Sequence, residues 1–134
     1  MLLDTDLLID VALDRRPHSD DAAELLDRLQ KGPKKAFVAW HSLSNFYYIV
    51  APRRSGIHAR DFVEHLTRFV AVTPSGTDAI KYAAELPMAD FEDAMQVAAA
   101  RACGARYIIT RNVSDFRRSP IPALMPRDAL DALF

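Results

Sequence analysis

Three aspartates stand where a divalent metal would need them. Asp4 directly follows the apolar pair Leu2-Leu3, Asp115 comes just past the apolar run that ends at Thr110, and Asp93 opens an alanine-rich stretch. Eighteen acidic residues among 134 is an ordinary load, so position rather than number carries the argument. Carboxylates brought together repel one another, and burial disfavours their ionisation. A divalent cation relieves both costs. Mg2+ and Mn2+ take hard oxygen ligands and keep several waters. One such water can attack phosphorus while the ion neutralises charge on the phosphoryl oxygens. The three aspartates therefore point to phosphodiester hydrolysis. No His or Cys spacing suggests zinc in their place.

These residues meet only if the chain folds as alternating strands and helices. Leu2-Leu3 opens a short strand. Ser19 can cap a helix through Lys31, with Asp20 and Asp21 at its positive end and Gly32 beyond it. Ala36 to Trp40 reads as a buried strand and Ser42 to Val50 as a helix ended by Pro52. Ile57 to Phe69 has Phe62, Leu66 and Phe69 at helical spacing. Val70 to Thr73 is a strand and Thr77 to Leu86 a helix. Phe91 to Cys103 is a helix that Gly104 is placed to end. Tyr107 to Thr110 reads as a buried strand, Ala123 to Met125 as a last one, and Pro126 can start a terminal helix. The alternation predicts one α/β domain over residues 1–134, a mainly parallel sheet of about five strands with helices on both faces. Sites in such sheets form beyond the carboxyl ends of the strands, where Asp4 and Asp115 fall. Asp93 joins them if its helix begins beside that crevice.

Composition narrows the function classes. Half the residues are hydrophobic and the formal net charge is −1, so the surface as a whole is no polyanion binder. Any RNA contact must rest on a local patch. No apolar run approaches the ~20 residues that span a bilayer, and no basic stretch precedes an apolar one at the start. With Cys103 as the only cysteine, no disulfide forms within the chain. A cytoplasmic protein with no membrane association is the expectation.

Four segments in order resemble the motifs of a known family. They are Leu2-Leu3-Asp4-Thr5-Asp6-Leu7-Leu8-Ile9-Asp10, Ser42-Leu43-Ser44-Asn45-Phe46-Tyr47-Tyr48-Ile49, Asp90-Phe91-Glu92-Asp93-Ala94-Met95-Gln96 and Thr110-Arg111-Asn112-Val113-Ser114-Asp115-Phe116. With Ser119-Pro120-Ile121-Pro122 and Met125-Pro126 they cover essentially the whole chain. It resembles a PIN domain, more closely the branch of PIN-type nucleases that includes VapC-like toxins. The resemblance implies a parallel sheet between helices and metal-dependent cleavage of RNA with Mg2+ or Mn2+. It also implies a homodimer and a cognate antitoxin. Asp4, Asp93 and Asp115 match the family's metal-binding acids, and Asp90 belongs to this branch's motif as a further candidate ligand. Thr110 and Asn112 match polar positions beside the site. Where many members carry a glutamate, this chain has Asn45, which keeps a carbonyl oxygen but brings no charge. That departure motivates a second reading, a non-catalytic PIN-like domain that binds RNA or protein.

Each acid also has a plainer role: Asp4 as a turn or cap, Asp93 as a favourable first-turn charge, Asp115 as a loop turn. Asp6 reads as the cap of the helix after strand one. Asp90 reads as an N-cap with Asp93 three residues on. Arg111, Arg53 and Arg54 are the candidate contacts to an RNA backbone, with Arg117 and Arg118 behind them. Phe46, Tyr47 and Tyr48 read as core or dimer packing, and Cys103 as a buried helix residue. His41 lies near the second motif, and His18, His58 and His65 read as surface.

Overall fold

The computed structural model describes residues 1–134. Five short strands form one parallel sheet: β1 (Leu2–Leu3), β2 (Ala36–Val38), β3 (Val70–Val72), β4 (Ile108–Ile109) and β5 (Ala123–Leu124), in the order β3-β2-β1-β4-β5. Leu2 pairs with Phe37 on one side and Ile108 on the other. The order reverses between β1 and β4. This switch point is where an open α/β sheet leaves a crevice at its carboxyl edge.

Seven helices cover the sheet: α1 (Thr5–Ala12), α2 (His18–Lys31), α3 (Trp40–Val50), α4 (Gly56–Leu66), α5 (Thr77–Glu85), α6 (Phe91–Ala102) and α7 (Pro126–Leu133). The two-residue period of a strand sorts their packing. Leu3, Val38 and Ile109 face a core with α1, α2, α3, α4 and α7. Leu2 and Ile108 face the opposite layer, where Val97, Ala99 and Ala100 of α6 meet Phe116. Alanines on α6 let its backbone lie close to the sheet, and Ala83 of α5 packs on Ala94 and Ala98.

The expected architecture holds, with local differences that have physical causes. The strands end one or two residues earlier than expected: Trp40 starts α3, and the buried Thr110 lies just past β4. Ser19 is not the cap of α2; it sits one residue inside the helix and its Oγ donates to Asp14 Oδ1 at 3.1 Å. Asp6 is not the cap of α1 either. Asp4 is, its Oδ1 accepting from Thr5 N at 2.7 Å, because the helix begins immediately after β1. Asp90 does cap α6, accepting from Asp93 N at 3.1 Å. A single 3-10 turn, Val113–Phe116, follows β4.

Gly104 follows α6 at φ +67, the left-handed region that favours glycine. No atom crowds its missing Cβ, so the whole cost of a side chain there is backbone strain. Gly104→Ala is therefore expected to lower stability by about 1 kcal/mol, measurable by urea unfolding.

Candidate metal centre

Asp4 reaches the crevice because α1 starts where β1 ends. It is 5% exposed, and three donors hold its carboxylate. Oδ1 accepts from Thr5 N at 2.7 Å and from Gln96 Nε2 at 3.1 Å; Oδ2 accepts from Thr110 Oγ1 at 2.7 Å. Thr110 comes from the end of the neighbouring strand β4. Its Oγ1 also accepts from Asn112 N at 3.0 Å, which turns the hydroxyl hydrogen toward Asp4.

Asp93 arrives from the first turn of α6. It lines one hollow of about 270 Å³ together with Asp4, Thr5, Asp6, Asn45, Tyr48, Glu92 and Asn112. Carboxylate oxygens of Asp90, Glu92 and Asp93 lie within 4.8 Å of one another. Asp115 is exposed on the 3-10 turn and does not line the hollow. Its charge nevertheless acts on Asp93. The hollow thus gathers Asp4 and Asp93, with Asp90 beside them and Asp115 at a further remove.

Electrostatics distinguish this hollow from an ordinary acidic surface. Burial pushes Asp4 up to about 7, against the pull of the Thr110 hydrogen bond and with the charges of Glu92 and Asp6 adding to the rise. Burial and the neighbouring Asp90, Glu92, Asp115 and Asp6 push Asp93 up to about 6. No basic side chain lines the hollow. Arg111 touches only its edge: NH1 donates to buried Asp10 at 2.8 Å, and Nε lies 3.7 Å from Asp6, which lines the hollow. The donors are oxygens and the uncompensated charge is negative, so the residues fit a hard divalent ion. Asp4 and Asp93 would hold it, with Asp90 and Glu92 in reach.

These shifts give a signed expectation. A carboxyl whose value rises on folding binds its proton more tightly in the folded chain. Stability of the metal-free protein should then fall as pH climbs from about 4 to about 7, and level off above that. Mn2+ or Mg2+ should reverse the loss, raising the thermal midpoint more at pH 8 than at pH 5.5. Melting curves in EDTA and in excess metal at both pH values measure this. An equal metal effect at both would contradict it.

Several residues in or around the hollow were not expected from the sequence. Gln96 is wholly buried, and its Nε2 lies within bonding distance of Ser42 Oγ (2.8 Å), Glu92 Oε1 (3.0 Å) and Thr5 Oγ1 (3.2 Å) as well as Asp4. His41 Nε2 lies 3.0 Å from Glu92 Oε1. Asp6 accepts from Asn112 Nδ2. A larger hollow of about 540 Å³ beside α5 and α6 gathers no such set; it holds the carboxylate Asp78 and Arg101, stacked on Tyr82. Arg53 and Arg54 are exposed just after α3, Arg53 donating to Ile49 O at 2.8 Å. Arg117 and Arg118 are exposed beside Asp115. Phe46 is core, whereas Tyr47 and Tyr48 are exposed. Cys103 caps the end of α6, half-buried.

A PIN domain family model matches residues 1–114, a span that holds Asp4, Asp93 and the strands and helices around them. The chain belongs to the PIN domain family. No curated protein matches it in sequence. Solved PIN-type structures share its fold at low identity. The VapBC2 structure from Rickettsia felis, bound to a promoter DNA fragment, aligns at TM-score 0.72 and 16% identity, over 92% of this chain and 96% of that one. VapC20 of Mycobacterium tuberculosis, described as a sarcin-ricin loop cleaving toxin, aligns at TM-score 0.64 and 17% identity, over 80% and 85%. FitAcB from Neisseria gonorrhoeae aligns at TM-score 0.62 and 17% identity, over 94% and 97%. This PIN domain has no helix long and apolar enough to cross a membrane.

Proposed function

We propose that this PIN domain is a metal-dependent endoribonuclease and the toxin of a toxin–antitoxin pair. The observation that carries the reading is the hollow at the switch point, where Asp4 and Asp93 meet other carboxylates and no basic side chain forms the lining. When bound there, Mg2+ or Mn2+ supplies an activated water and neutralises charge developing on the phosphoryl group.

The chain's own residues do the rest. Thr5 N, Gln96 and Thr110 fix the Asp4 carboxylate before anything binds, so little reorganisation remains at the moment of reaction. Asp93, Asp90 and Asp115 bring further charge toward the same space, with Asn112 orienting Asp6 at its wall. Arg53, Arg54, Arg117 and Arg118 flank the elements that carry Tyr48 and Asp115, and their charges suit the RNA backbone on either side of the cleaved bond. Trp40, Tyr48 and Ile57 are each at least 73% exposed, which suits a protein partner. The complexes named among the similar structures, VapBC2 and FitAB, support an antitoxin as that partner. A homodimer belongs to the same reading.

A panel of structured RNAs incubated with the protein in Mn2+, Mg2+ or EDTA tests it, with a DNA competitor and Asp93→Asn in parallel. Metal-dependent RNA products that DNA does not suppress and the variant does not form are expected. The neutral Asn45 favours a second reading, a PIN-like domain that binds RNA or protein without cutting. RNA binding that persists in EDTA, with no product in any metal, would establish that one instead.

A further inference from the structure

Asn45 leaves the α3 side of the hollow without charge, and α6 brings a carboxylate to the same space. We propose that Glu92 is a ligand-bearing carboxylate of the metal centre, with His41 and Gln96 as the positioning residues that hold it. The proposal rests on the metal-centre reading above.

Glu92 lines the hollow together with Asn45, Asp4 and Asp93. Its carboxylate belongs to the group with Asp90 and Asp93 whose oxygens lie within 4.8 Å of one another. A glutamate in a helix's first turn is favourable without any partner, through the helix dipole alone. Glu92 is instead restrained by two side chains. His41 Nε2, from the first turn of α3, and Gln96 Nε2, one turn along α6, each lie 3.0 Å from Oε1. Both contacts fall on Oε1 and leave Oε2 free for an ion.

Gln96 links this carboxylate to Asp4, since the same Nε2 donates to Asp4 Oδ1 at 3.1 Å. One buried amide therefore sets two carboxylates from different segments against each other. Its own Oε1 is buried and has no partner in the protein. A buried acceptor left unsatisfied is costly. The amide that carries it contacts three residues that line the hollow, Asp4, Thr5 and Glu92, and a water held by an ion there is the kind of donor this oxygen lacks.

Calorimetric titration with MnCl2 at pH 8 tests the assignment without any substrate. Glu92→Gln keeps the size and both hydrogen-bond contacts but removes the charge, and it should weaken Mn2+ binding about tenfold or more. In that background Asn45→Glu places a carboxylate on the facing wall and should recover most of the loss. His41→Ala should weaken binding about tenfold while its melting curve in EDTA stays close to that of the wild type. If Glu92→Gln binds Mn2+ like the wild type while Asp4→Asn does not, Glu92 has no part and the metal centre still stands. If the wild type binds no Mn2+, the metal-centre reading fails and this assignment fails with it.

Discussion

Replacing Asp4 by asparagine is expected to reduce metal-dependent RNA cleavage at least about a hundredfold, since losing even an outer partner of a metal ligand costs about 10–100-fold. The same change should make the metal-free protein more stable at pH 8. Asparagine can still cap α1, and its amide can donate to the second lone pair of Thr110 Oγ1 once the hydroxyl hydrogen rotates away. What disappears is a buried charge that folding holds at a value of about 7. Above that pH the wild type carries the charge at a cost, and the variant does not. The gain should be on the order of a few kcal/mol at pH 8 and should vanish near pH 4. Urea unfolding in EDTA at the two pH values reads it. A variant that is inactive and also less stable at pH 8 would mean that Asp4 serves the fold rather than the site.

The second large effect concerns Arg111. Asp10 is 1% exposed, and burial holds its carboxyl above the ordinary value even though Arg111 pulls it down. Arg111 NH1 donates to it at 2.8 Å, while Arg15 stands off at 3.9 Å. Removing one partner of a buried pair strands the other, a loss of about 3–5 kcal/mol. Arg111→Ala is expected to fall in that range at pH 8 and to lose less as pH is lowered, because burial raises the Asp10 carboxyl and a proton can replace the lost charge. The contact ties α1 to the loop that carries Asn112 and Asp115, so activity should fall with stability. A stability change within about 0.5 kcal/mol, typical of a surface substitution, would contradict this structural role.

Arg111 also marks where sequence reasoning stops. As a basic residue beside a presumed catalytic acid, it reads as a contact to the RNA backbone. Its partner Asp10 is about a hundred positions away in sequence and hidden within an apolar helix, so the ion pair exists only once β1 and β4 are neighbours. Asp4 was easier to find, because it follows an apolar strand run and so falls at the carboxyl edge of the sheet, whereas Thr110 was marked only by the family resemblance. The parallel sheet was legible from alternation and the end of α6 from Gly104. Asp6 was mistaken for a cap because nothing local distinguishes a helix that starts at once after a strand from one that starts two residues later. Gln96 entered the sequence reading only as the end of the third motif segment, with no role of its own. Its burial depends on how closely the alanines of α6 let that helix approach the sheet. The one available signal was the four-residue spacing from Glu92 to Gln96, which puts both on one helix face with the hollow.

The most direct test of the account is a crystal of the protein soaked in Mn2+, with the ion located by anomalous scattering. The account predicts a peak in the hollow at the carboxyl edge of β1, within coordination distance of both Asp4 and Asp93. Fully ordered carboxylates with no peak between them, or a peak only at surface acids elsewhere, would contradict it.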